Sequence, residues 1–205
     1  MALINQATRE LQVKIVYYGP ALCGKTTNLQ QVHAHVQTAA PEHKGKLVSL
    51  ATSSDRTLFF DFLPIEALSI KGFKTKFQLY TVPGQVIYNT TRQLVLRGVD
   101  GLVFVADSQY EKMEENVESF NNLLDNLKVL KLNLNDIPYV MQYNKRDLPN
   151  VAPVEYMEFL LNNREVQVPS HTASASRCEG VFETLNLITR MLLQKFINEG
   201  FRKTT

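Results

Sequence analysis

The sequence predicts a single α/β domain: a mostly parallel, six-stranded sheet with one antiparallel edge strand and helices on both faces. Three observations point there. Strand-like apolar runs alternate with amphipathic helical runs along all 205 residues, with no linker, repeat or low-complexity stretch. Gly19-Pro-Ala-Leu-Cys-Gly-Lys-Thr26 fits G-x-x-x-x-G-K-[ST] and lies between a strand-like and a helix-like segment. Gly101-Leu-Val-Phe-Val-Ala106 is apolar throughout rather than alternating, as parallel strands covered on both sides are.

In chain order, Ala2–Gln6, within the first nine residues, has the pattern of a small extra strand. Leu11–Tyr18 reads as the first principal strand and Thr27–Val36 as the helix after the glycine-containing loop. Lys46–Ala51 is a short apolar stretch. Thr57–Leu63 and Phe73–Val82 read as a hairpin turning at Leu68–Gly72, which supplies the antiparallel edge strand. Val86–Leu96 is helical and ends at Gly98. After the strand Gly101–Ala106, Lys112–Leu130 is a long helix with Val117, Phe120, Leu123, Leu124, Leu127 and Leu130 on one side. Ile137–Tyr143 is a strand, Val154–Leu161 a helix, Val166–Thr172 a last short strand, and Val181–Ile197 a closing amphipathic helix. Residues 199–205 form a flexible tail on this reading. Right-handed crossovers place a ligand at the carboxyl ends of the strands.

Composition narrows the classes. A hydrophobic content of 44% supplies a full core, and the net charge of +2 is too mild to imply a nucleic-acid partner. The basic clusters Lys71/Lys74/Lys76 and Arg202-Lys203 read as solvated faces. Cys23 and Cys178 are the only cysteines, and a disulfide inside the glycine-containing loop would be awkward, which favours a reducing, cytoplasmic setting. Neither a signal peptide, a membrane span nor a lipidation motif is visible, so no direct membrane anchor is expected and polar recruitment would come through partners. His33, His35, His43 and His171 have no metal-binding spacing.

The loop carries the chemistry. Gly19, Ala21, Leu22, Cys23, Gly24, Lys25, Thr26 and Thr27 would form a cradle for a nucleotide polyphosphate, with backbone N–H groups and the helix N-terminus turned toward it. Lys25 would reach the β- and γ-phosphates, and the Thr26 hydroxyl would bind Mg²⁺. The alternative is an ordinary strand-to-helix turn with a chance lysine. Asn144-Lys-Arg-Asp147 follows a strand and matches N-K-x-D. The Asp147 carboxylate can accept two hydrogen bonds from guanine that adenine does not offer. Asn144 would hold the loop and touch N7, the Lys145 stem would cover a base face, and a backbone N–H at Ser174-Ala175 would reach guanine O6. The alternative for 144–147 is a polar turn before Pro149. Thr81-Val-Pro-Gly84-Gln85 fits D-x-x-G-Q except at Thr81. There Gly84 would contact the γ-phosphate and Gln85 would orient a water. Thr81 would hold a magnesium-bound water with no charge of its own.

Taken together the chain resembles the small Ras-like GTPases, and in particular the bacterial MglA family. The likeness covers nearly its full length and is carried by Lys14–Pro20, Cys23–Leu29, Asp55–Pro64, Gly72–Thr75, Leu79–Gln85, Gly98–Gly101, Phe104–Ser108 and Asn144–Pro149. Thr81 in place of Asp is itself a mark of that family. The resemblance implies binding of GTP and GDP with Mg²⁺, and a slow hydrolysis that switches cell polarity and motility. It implies Thr57 as a switch residue closing on Mg²⁺, and Arg56 as an arginine finger supplied in cis. It implies an MglB-like Roadblock-domain homodimer that accelerates hydrolysis, and response-regulator or polarity effectors that read the GTP form. One departure stands out: Ala21 occupies a position where the family usually has Gly, and its Cβ points toward space that Arg56 and Gln85 must enter.

Two further readings stay open on the residues alone. One is a nucleotide-dependent binding module that hardly hydrolyses, for which Ala21 and Thr81 are grounds. The other is a P-loop small-molecule kinase, disfavoured by the absence of a lid segment carrying arginines. The strand Leu58–Leu63, with aromatics on both faces, either slides between states or is buried on both sides and static.

Overall fold

A computed structural model describes residues 3–5, 8–39, 48–51, 57–70, 73–164 and 167–200. The elements run β1 (Leu3–Asn5), β2 (Glu10–Tyr18), α1 (Lys25–Ala39), β3 (Val48–Ala51), β4 (Thr57–Ile70), β5 (Phe73–Thr81), α2 (Asn89–Leu96), β6 (Gly101–Asp107), α3 (Met113–Val129), β7 (Tyr139–Asn144), α4 (Val154–Leu161), β8 (Ser170–Thr172) and α5 (Val181–Gly200). They build one sheet in the order β3-β4-β5-β2-β6-β7-β8, with β1 added antiparallel to the start of β2. From β5 through β8 every neighbouring pair is parallel. β4 runs antiparallel to β5, and β3 antiparallel to β4.

The sheet is therefore the expected six strands widened by two short ones, and β4 is not at its edge because β3 covers its outer side. β1 falls within the small extra strand expected over Ala2–Gln6, while the four residues of β3 give too little periodicity to declare a strand, so pairing decides it. β4 is also longer than its sequence pattern suggests. It continues to Ile70 opposite Phe73, and a register shift between Ala67 and Ile70 absorbs the mismatch. The helix expected over Val86–Leu96 is broken in two. Gln85 is extended, Val86–Tyr88 forms a single 3-10 turn, and the α-helix starts only at Asn89. α5 runs on through Gly200, taking in residues 199 and 200 of the expected tail, and 201–205 lie outside the described residues.

Two apolar layers hold the sheet. On one face Val16, Tyr18, Phe104, Met141 and Tyr143 pack against Val95 and Leu96 of α2, Phe120, Leu123 and Leu127 of α3, and Met157 and Leu161 of α4. The rings of Phe104 and Phe120 meet edge to face with centroids 5.0 Å apart. On the other face Val13, Ile15, Tyr17, Val103, Val105 and Val140 pack against Leu29 and Val32 of α1 and Ile188 and Leu192 of α5. Every residue of β6 and β7 is buried, which explains the unbroken apolar run Gly101–Ala106, while β7 carries the buried amides Gln142 and Asn144 between its apolar residues. Each fully covered Leu or Ile contributes about 1.5–3 kcal/mol.

This topology decides where a ligand can sit. β2 lies at the centre of the order, with β5 on one side and β6 on the other. Connections leaving the carboxyl ends of β2 and β5 diverge to opposite sides, opening a crevice directly above Tyr18 and the loop that follows it.

Candidate functional site

Residues 19–24 link the end of β2 to α1, and their backbone takes conformations that side chains resist. Gly24 has φ +101°, and a Cβ built there would lie 2.2 Å from Asn144 Nδ2. Only glycine fits. Leu22 is also left-handed, with φ +60°. α1 is 15 residues long and begins at Lys25, so the N-terminal end of its dipole opens onto the loop. Lys25 is almost fully buried. Its Nζ donates to the Gly19 and Pro20 carbonyls at 3.1 and 2.6 Å and approaches Cys23 Sγ at 3.6 Å. The ammonium expected to reach phosphates is thus folded back over its own loop, poised beside the space they would enter. Burial pushes the Cys23 thiol up, and both Cys23 and Cys178 are free.

A buried polar ladder fixes α1 beneath the loop. Asn28 Nδ2 donates to the Gly24 carbonyl at 2.9 Å, while the Asn28 and Gln142 amides pair in both directions at 2.9 and 3.0 Å. Gln142 also donates to Thr184 Oγ1 of α5 at 3.0 Å. All three residues are inaccessible to water, so each bond saves a desolvation penalty of about 1–3 kcal/mol.

Asn144 brings the second motif to the first. It is buried, its Nδ2 donates to the Cys23 carbonyl at 2.8 Å, and its Oδ1 accepts from the Ala175 N–H at 2.9 Å. One side chain therefore clamps the loop after β2, the loop after β7 and the loop after β8. The Ala175 N–H, expected to face guanine O6, is turned to Asn144 here, and Ser174 is buried beside it. Lys145 is left-handed with φ +66°, and its Nζ pairs with Asp107 Oδ2 at 2.6 Å. Asp107 is itself buried and accepts from the Gln109 N–H, while Asn116 bonds its backbone in both directions. A groove of about 290 Å³, at the lower end of small-molecule sites, runs from Gly24 and Thr27 to Lys145, Asp147 and Ala175.

Asp147 stands at the groove with its carboxylate half-exposed. The Ser174 hydroxyl, then its own backbone N–H, the Ser176 hydroxyl at 3.2 Å and the Arg177 charge hold its carboxyl below the usual range. A depressed pKa keeps the ionised form as pH falls, so any guanine binding that Asp147 carries should be flat from pH 8 down to about pH 4, the ordinary Asp value. Ser174→Ala should raise the midpoint of loss. Calorimetric affinity for a guanine nucleotide across that range reads both.

At the opposite end Thr81 is buried at the close of β5, level with Tyr17. Gly84 lies against the first loop: a Cβ built on it would be 2.3 Å from Ala21 Cα and 3.0 Å from Ala21 Cβ. Gln85 is partly exposed next to it. Thr57 opens β4, its backbone paired with Ala51; its side chain and the loop 52–56, including Arg56, lie outside the described residues. Among the described residues no group of three or more His, Cys, Asp or Glu could hold a metal ion, and no helix is long and apolar enough to cross a membrane. Thr26 at the start of α1 and Thr81 offer hydroxyls instead. That set fits Mg²⁺, which keeps several waters and takes its remaining ligands from substrate phosphates.

Sequence reasoning singled out the loop residues and the 144–147 motif but assigned no part to Asp107, Arg92, Asn28 or Gln142. Their partners lie 38, 74 and 114 positions away, and only the position of Asp107 at a strand's carboxyl end was a usable signal.

The family model of the ADP-ribosylation factor family matches residues 1–192. The chain is similar to the mutual gliding-motility protein MglA of Myxococcus xanthus (strain DK1622), with 55% identity over 200 residues that cover 98% of this chain and 100% of the relative.

Proposed function

The chain belongs to the ADP-ribosylation factor family of Ras-like small GTPases, which bind and hydrolyse GTP, and from that premise we propose that it is a motility and polarity switch of the MglA type. One observation carries the reading. The phosphate cradle and the base-reading motif line the same groove, and Asn144 of the second bonds the first through Cys23 and the loop after β8 through Ala175. In this assignment Asp147 accepts the guanine edge, the Lys145 stem covers the base, and residues 19–27 receive the phosphates. Lys25 exchanges two loop carbonyls for phosphate oxygens. Mg²⁺ would be held by the Thr26 and Thr57 hydroxyls, with Thr81 reached through a water, and when bound it neutralises charge on the β- and γ-phosphates. Gly84 faces the γ-phosphate and Gln85 orients the water that attacks it, breaking the bond to GDP. Arg56 enters as a cis arginine finger. An MglB-like Roadblock-domain homodimer accelerates hydrolysis, and response-regulator or polarity effectors read the GTP form, drawing the protein to a cell pole.

The reading is tested by base preference. A hydrogen bond to a charged group is worth about 1.5–3 kcal/mol, so Asp147→Ala should cut the preference for GDP over ADP by about 10- to 150-fold in calorimetry with Mg²⁺. An unchanged preference would refute the assignment.

Ala21 bears on rate. Its backbone touches Gly84, so its Cβ adds bulk where the Thr81–Gln85 segment closes on the loop after β2. Ala21→Gly should raise partner-stimulated single-turnover hydrolysis by a few-fold to tenfold, a barrier change of about 0.5–1.4 kcal/mol. Equal rates for the two forms would show that this methyl group does not obstruct catalysis.

A further inference from the structure

Arg92 of α2 is completely buried, and a guanidinium cannot shed its charge there. Its partners among the described residues are all neutral. Nε donates to the Pro83 carbonyl at 2.9 Å and Nη2 to the Gly84 carbonyl, while Nη1 donates to Asn122 Oδ1 at 2.6 Å and to the Tyr18 hydroxyl at 3.3 Å. The guanidinium carbon also lies 5.1 Å from the Tyr18 ring centroid.

The surroundings are polar and built. The Tyr18 hydroxyl donates to Asn122 Oδ1 at 2.6 Å, and Asn126 Nδ2 donates to that hydroxyl at 3.0 Å and to Asn89 Oδ1 at 2.7 Å. Gln93 closes the set by donating to Asn126 Oδ1 at 2.9 Å. Tyr18 is the last residue of β2, immediately before Gly19. Asn89, Arg92 and Gln93 belong to α2, Asn122 and Asn126 to α3, and Pro83 and Gly84 to the segment between β5 and α2.

A buried cation matched only by dipoles is a poor way to stabilise a fold, since an apolar side chain of similar volume would often do as well. It does something an apolar residue cannot. It grips two consecutive carbonyls in a stretch that has left the β-ladder, and it does so with a planar fork whose other arm is fixed on α3 and β2.

We propose that Arg92 is a positioning residue for the γ-phosphate end of the site: braced by Tyr18 and Asn122, it sets where Gly84 and Gln85 stand against the loop at Ala21. The proposal rests on the reading above that Gly84 meets the γ-phosphate. It follows that the network matters to the triphosphate and to hydrolysis but not to the diphosphate, whose contacts lie in residues 19–27 and 144–147.

Arg92→Lys keeps the charge and loses the fork. Asn122→Ala removes the brace at a half-buried helix position and guards against failure of the first variant to fold. In the intact protein with Mg²⁺, the affinities for GDP and for a non-hydrolysable GTP analogue, the single-turnover rate and the melting temperature are measured for both. Affinity for the analogue should fall by about tenfold or more and hydrolysis should slow alongside, from the loss of one charge-assisted hydrogen bond, while GDP affinity stays within about twofold. Parallel loss of GDP and analogue affinity with a lowered melting temperature, or no change in either, overturns the proposal. Gly84→Ala separates the two claims. If it leaves the ratio of analogue to GDP affinity untouched, the γ-phosphate reading of Gly84 has failed; if it collapses the ratio while Arg92→Lys and Asn122→Ala do not, only the role of Arg92 has.

Discussion

Replacing Arg56 with alanine is expected to slow partner-stimulated GTP hydrolysis by about 10³–10⁵-fold while leaving GDP affinity within a few-fold. The transition state spreads charge over three equatorial oxygens, and a planar guanidinium matches that spread as a point charge does not. Three cations near the groove among the described residues are already engaged. Lys145 is paired with Asp107, Arg92 is sealed under α2, and Lys25 is bonded to loop carbonyls from which it is expected to move onto ground-state phosphates. Arg177 faces Asp147 at the base end of the groove, so in the proposed reading the guanidinium at the phosphates is that of Arg56, next in sequence to Thr57. Arg56→Lys should rescue little, because it lacks the fork. Rapid-quench single turnover with saturating partner reads the effect; a loss below tenfold would move the finger onto the partner.

What could be read from the chain beforehand was whatever is contiguous. Gly19–Thr26 states its own geometry, because the glycines, the lysine and the helix that follows are neighbours, and Asn144–Asp147 does so for the same reason. The buried strand β6 announces itself by the unbroken apolar run Gly101–Ala106. The rest of the site is assembled from polar residues that look solvent-facing in isolation. Arg92 sits in Asn89-Thr-Thr-Arg-Gln93, a stretch with no apolar stripe, yet α2 turns it inward because Tyr18, Asn122 and Asn126 wait there. Asn28 and Gln142 satisfy each other across 114 positions, a pairing no local pattern encodes. The break before α2 was hidden too: Val86-Ile-Tyr88 contains neither glycine nor proline, yet Gln85 is extended and Tyr88 leaves helical backbone just before Asn89.

Asn144→Ala should weaken both GDP and GTP by about 30- to 10⁴-fold, a larger loss than removal of the base-reading carboxylate. The side chain is 1% exposed and makes two bonds to backbone, to the Cys23 carbonyl and from the Ala175 N–H. Alanine leaves both groups buried without a partner, each at a cost of about 1–3 kcal/mol. The free protein escapes that cost by letting the three loops part, and the ligand must then supply the ordering energy itself. The expected signature is therefore a collapse in affinity without loss of base preference, since Asp147 is retained and its serine partners are untouched. Asp147→Ala should give the reverse, a lost preference on a smaller affinity change. Asn144→Asp keeps the acceptor for Ala175 but turns a donor into a carboxylate facing the Cys23 carbonyl, so it should be no better than alanine. Calorimetry with GDP and ADP on the three variants checks the set. An Asn144→Ala protein that binds GDP within threefold of the parent would mean that the loops are held together by something other than this amide.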